Sequence, residues 1–122
     1  MPPERSDAAH IWDMLGAARA VARYLAGRTS QDYADDDMLR SAVERQIEII
    51  GEAARRISPD FRAAHPEVPW QKIIGQRHVL AHDYAEIRHD RLWRVATEAI
   101  PEPIVQLEGL VPTPPLDPGP EA

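Results

Sequence analysis

The 122-residue chain has no cysteine. That excludes a disulfide framework, a thiolate metal site and a cysteine nucleophile, and it agrees with a reducing compartment. No apolar run approaches the roughly 20 residues that span a bilayer. The opening Met-Pro-Pro-Glu-Arg-Ser-Asp lacks the apolar centre of a signal peptide. The expectation is a cytoplasmic protein with no membrane segment. Positive charge is also short: 14 basic groups face 20 acidic ones, for a net charge of −6. Non-specific nucleic-acid binding is therefore a poor candidate for the main task. There is no internal repeat and no period-2 run that would favour strands.

What is present is apolar and helical. Apolar residues make up 43% of the chain, enough for the core of one domain. Ile11, Leu15, Ala18, Ala22 and Leu25 recur at helical spacing, with Ser6 or Asp7 as cap and Gly27 as stop. Residues 29–37 read as a polar loop ending in three aspartates, which suit the start of the next helix. That helix carries the clearest stripe: Leu39, Val43, Ile47, Ile50, Ala54 and Ile57, widened by Met38, Ala42, Ile49 and Ala53. Ser58-Pro59 opens a short helix, His65-Pro66 stops it, and Pro69 opens another at Trp70 that runs toward Ala81. A last helix spans about Asp90 to Ile100, with Leu92, Val95, Ala96 and Ala99 inward. Pro101 and Pro103 kink or restart it, and Ile104, Leu107 and Leu110 extend the stripe. The fold class is all-α, an antiparallel bundle of four to five helices over residues 1–110. Residues 111–122 hold five prolines and read as a disordered tail.

Charge is unevenly spread. Residues 70–94 carry five basic and three acidic groups and three histidines, whereas residues 95–122 carry no basic and five acidic groups. The basic window contains Arg77-His78-Val79-Leu80-Ala81-His82-Asp83-Tyr84. Arg77 falls on the stripe of Trp70, Ile74 and Ala81, where an unpaired buried cation would cost several kcal/mol. Either it forms an internal salt bridge, to Glu48 or Glu52, or it faces a groove and takes a phosphate. His82 is about 140° round an ideal helix from Arg77, so a frayed helix or a second copy across a two-fold axis is needed to unite them. His82 also suits a helix C-terminus as a plain dipole partner. His78 and His82 share a face at metal-ligand spacing, but position 79 is Val and the glutamate of a zinc helix is missing. Metal is not expected. Asp83 is a turn residue or orients a histidine, and Tyr84 is an amphipathic residue at a helix end. Arg88, Arg91 and Arg94 come next at spacings of three, as a solvated face or as a phosphate-tracking ridge beside the site.

The spacing Arg77-x4-His82-x-Tyr84 resembles the signature of HEPN-domain ribonucleases of the HepT type, in which four to six residues separate the arginine from His-x-Tyr. The likeness extends to residues 42–54, with their Glu-Ile-Ile-Gly-Glu-Ala core, to Val68-Pro69-Trp70 with Ile73-Ile74-Gly75, and to Leu92-Trp93. It covers roughly residues 8–110. This resemblance implies a HEPN-like bundle that dimerises with the two motifs facing one another in a composite active site. It implies a metal-independent endoribonuclease, needing no cofactor, in which the 2′-hydroxyl of RNA attacks its own phosphodiester. Arg77 and His82 are then the catalytic pair: His82 is the general acid or base and Arg77 clamps the phosphate. Tyr84 positions RNA, and His78 and Asp83 support the site. It also implies a type VII toxin–antitoxin pair, whose MntA-like nucleotidyltransferase antitoxin transfers AMP to Tyr84 and so blocks the anion site. The sequence departs from most relatives at His78, where a small polar residue such as Asn is usual.

Two other functions fit the residues. One is a non-catalytic helical partner that binds nucleotide or presents substrate to a nucleotidyltransferase, which the acidic balance favours. The other is a structural interaction bundle in which Arg77 is only salt-bridged.

Overall fold

The structure is a computed structural model that describes residues 6–75 and 85–110, with the backbone alone for residues 85–88 and 102–105. Its elements are α1 (Asp7–Leu25), α2 (Ser30–Asp35), α3 (Asp37–Arg56), α4 (Pro59–Ala64), α5 (helical over 70–75), α6 (Ala85–Arg94), a π-helical turn (Val95–Ala99) and α7 (Pro101–Leu110). The architecture is all-α, and no strand occurs among the described residues. No described helix is long and apolar enough to cross a membrane.

Local signals place most helix ends. Ser6 accepts from the Ala9 N–H and starts α1; Asp36 accepts from the Leu39 N–H and starts α3; Ser58 accepts from the Phe61 N–H and starts α4, with Pro59 next. Each side-chain oxygen satisfies an N–H that the first helical turn leaves without a partner. Gly27 sits at φ +75° just after α1, the left-handed region open to glycine.

Helices α1 and α3 form the central antiparallel pair. Ile11, Met14 and Leu15 of α1 cluster with Ile50, Ala53 and Ala54 of α3, whereas Val21 and Leu25 cluster with Leu39, Val43 and Ile47. The start of one helix therefore meets the end of the other. Asp7 clamps that end, accepting from the Ser58 N–H at 2.8 Å and from its hydroxyl at 2.7 Å. Val68, Trp70 and Leu107 complete one cluster; Tyr33, Leu92 and Ala96 complete the other, and Ile100 packs against both. Arg19 of α1 reaches Glu108 of α7 at 2.7 Å and lies over the Trp12 ring at 5.7 Å.

Four expectations are corrected. Residues 29–37 are not a plain loop: Thr29 and Asp32 make a reciprocal capping box that starts α2, and Tyr33 is buried there. Arg40 of α3 then donates to the last carbonyls of α2, at Tyr33 and Ala34. Met38 is 84% exposed, because α2 covers the Leu39 side of α3. In α1 the larger Val21 is buried and its neighbour Ala22 faces solvent. Ala99 is exposed as well, because the helix widens before it. The Ile100 N–H donates to the Val95 carbonyl at 2.9 Å, a five-residue bond. Thr97 donates its hydroxyl to the Trp93 carbonyl at 2.7 Å. Pro101 has no N–H and its ring would crowd the carbonyl four residues back. The π turn absorbs that clash and lets α7 restart at the proline.

Candidate functional site

Arg77, His78, His82, Asp83 and Tyr84 lie outside the described residues, as does the expected run of the helix from Trp70 to Ala81 beyond residue 75. The structure places the segments on either side of them. Entry is through Trp70, which is buried at the head of α5. Its indole N–H donates to the His65 carbonyl at 2.9 Å, and the Val68 N–H donates to the same oxygen at 3.2 Å. The Phe61 ring meets Trp70 edge-on at 6.4 Å and lies 4.5 Å from the His65 ring. The turn His65-Pro66-Glu67-Val68-Pro69 is thus tied to the first residue of α5.

Beyond the motif, α6 is anchored by Leu92, which is fully buried, and by Trp93, whose ring lies 5.9 Å from Tyr33. His89 is half-buried and meets Tyr33 edge-on at 6.4 Å. With that face turned inward, Arg91 and Arg94 point to solvent. Arg94 pairs with Asp90 at 3.1 Å, both mostly exposed. Such a surface pair contributes little and is readily exchanged for another anion. Arg88 lies on the backbone of the same helix.

The acidic partners considered for Arg77 are on α3. Glu52 accepts from Arg55 at 2.6 Å and from Arg56 at 3.0 Å. Those two hydrogen bonds, Arg55 first, hold its carboxyl down at about 2 from an ordinary 4.5, and the same contact raises Arg55. Glu48 is 3.9 Å from Arg45. These groups, with Asp13 and the buried His10, line a groove of about 470 Å³ between α1 and α3. Its six ionisable side chains other than His10 are three acids and three arginines, so the groove is charge-balanced. Among the described residues no three metal-ligating side chains converge.

Sequence reasoning missed two features near the site. The Trp70 clamp needs a carbonyl five residues back, which no side-chain pattern displays. Arg62 on α4 reads as an ordinary exposed cation, yet its Nε is buried without a hydrogen-bond partner among the described residues. Nothing in the order of residues 59–69 signals that burial, because it depends on how α4 lies against the start of α5.

Against known proteins, the model of a family described as "HepT-like: Ribonuclease HepT-like" matches residues 14–109. A protein of Methanocaldococcus jannaschii named "Putative RNase MJ1380" is 36% identical over 99 residues, covering 81% of this chain and 91% of the relative. "Probable ribonuclease HepT" of Thermococcus cleftensis is 33% identical over 98 residues, covering 80% and 89%. No solved structure matches the chain.

Proposed function

The chain belongs to the family of HepT-like ribonucleases, and on that premise we propose that it is the toxin of a toxin–antitoxin pair, cutting RNA through the substrate's own 2′-hydroxyl. As a member of this family it is an endoribonuclease. The observation that carries the finer reading is Arg77-x4-His82-x-Tyr84, which lies inside the matched span.

In the proposed reaction the 2′-oxygen forms a bond to phosphorus while the bond from phosphorus to the 5′-oxygen breaks. A 2′,3′-cyclic phosphate is left on one fragment and a 5′-hydroxyl on the other. The 2′-hydroxyl loses a proton and the departing oxygen gains one; His82 serves as one of these proton-transfer groups. Charge builds on the non-bridging oxygens, and the guanidinium of Arg77 stabilises it with its rigid fork of donors. Two copies of the chain pair so that both motifs share one site. Tyr84 positions RNA and is the residue an MntA-like nucleotidyltransferase antitoxin modifies. An attached AMP puts a phosphate where the RNA phosphate has to go. Arg88, Arg91 and Arg94 extend the contact along the RNA backbone, which the outward direction of the last two supports.

Total RNA is incubated with purified protein in EDTA, wild type beside His82→Ala, and the new ends are analysed. The expected result is cutting that survives EDTA, leaves 2′,3′-cyclic phosphates and falls at least about 100-fold in the variant. Equal cutting by a folded His82→Ala protein would overturn the role of His82. No cutting by wild-type protein without a mass increment on Tyr84 would favour the non-catalytic partner of a nucleotidyltransferase, the reading that the net charge of −6 also suits.

A further inference from the structure

A second groove, of about 590 Å³, lies open between α4 and the start of α5. Its floor is apolar: Pro59, Ala63, Val68 and Pro69, backed by Trp70. Two cations line it, Arg62 and Lys72, and no carboxylate does. This contrasts with the α1–α3 groove, where acids and arginines balance. The Nε of Arg62 has no exposed surface and no hydrogen-bond partner among the described residues. A guanidinium that lines an open groove suits a planar or tetrahedral anion that takes two donors at once. Apolar surface beside cations is what proteins offer to single-stranded nucleic acid, where bases or riboses meet apolar groups and phosphates meet Arg and Lys. The volume is within the roughly 300–1,000 Å³ of ligand sites, while the open side suits a passing strand.

We propose that the α4–α5 groove is an accessory RNA channel, in which Arg62 and Lys72 take backbone phosphates of single-stranded substrate and the Pro59–Ala63–Pro69 floor receives a base or ribose. Lys72 stands on α5, five positions before Arg77 in the sequence. The placement rests on the ribonuclease reading; it adds substrate contacts outside the motif and explains how an acidic protein holds RNA. An acidic segment of a protein would meet the same cations, but the chain's family acts on RNA and the groove adjoins the motif in sequence.

The test uses the intact protein and a fluorescein-labelled single-stranded oligoribonucleotide with 2′-O-methyl groups, which cannot supply the attacking hydroxyl. Binding is measured by anisotropy across a salt series for wild type, Arg62→Met, Lys72→Gln and Arg62→Lys, with circular dichroism to verify folding. Each neutralising substitution is expected to lower the slope of log K against log salt by about 0.7, or about fourfold in affinity near 0.15 M salt. Arg62→Lys restores the slope. Wild-type binding and slope in the folded neutral variants would overturn the channel, and wild-type cleavage in the same preparation would leave the ribonuclease reading standing. Absence of cleavage by wild type would remove that reading, while loss of binding in Arg62→Met would still place RNA in the groove. A change in sedimentation mass instead of in RNA binding would assign the groove to a second copy of the chain and overturn the proposal.

Discussion

Arg94 and Arg62 illustrate two fates of a cation. Arg94 has an acid one helical turn away and pairs with it at 3.1 Å in water, where the gain is small. Arg62 has its Nε buried with no partner among the described residues, so it carries a desolvation cost. On the proposed reading the same logic applies to Tyr84, where an added phosphate would compete for the guanidinium of Arg77. Tyr84→Phe keeps the ring and removes the oxygen proposed to accept AMP. The expected outcome is a protein that still cuts RNA but takes no AMP mass increment and stays toxic when antitoxin is co-expressed. Neutralisation of the Phe variant with AMP found on another residue would move the modification site.

At the scale of elements, the α3–α4 junction holds the entry to the motif. Ser58 caps α4 and donates its hydroxyl to Asp7, so it joins the end of α3 to the start of α1. The next turn ties His65, Val68 and Trp70 together before α5 begins. Ser58→Ala removes the cap and leaves Asp7 with one donor fewer. A loss of about 1–2 kcal/mol is expected, seen as a drop of several degrees in thermal midpoint. Dinucleotide cleavage well below that midpoint stays at the wild-type rate. A normal midpoint would mean that water replaces the hydroxyl without cost.

For the whole molecule, the two α1–α3 clusters are joined through Ile100 at the end of the π turn, so α6 and α7 are positioned by one core. If a composite site forms between two copies, Arg77→Ala and His82→Ala are each inactive alone yet complement one another. Refolding them together gives mixed dimers that keep one Arg77 and one His82 in the shared site, and at most about half of wild-type activity under random pairing. No recovery, with mixed dimers verified by mass, would place Arg77 and His82 of a single chain in each site. Much of this protein was legible in its sequence by periodicity and caps alone. The α1 and α3 stripes, the Ser6 and Ser58 caps, Pro59 at the first turn and the restart at Pro101 all come from steric and hydrogen-bonding rules that act within a few residues. The family is also set by sequence, because its motif is a matter of order and spacing. Tertiary structure alone decided that Tyr33 is core, that Met38 is not, that Val21 is taken over Ala22, and that Trp70 is clamped to the His65 carbonyl. It likewise decided that Arg62 loses water from its Nε beside an apolar floor. Which of two neighbouring side chains is covered depends on what another helix brings against it, and that contact is set by packing across the molecule.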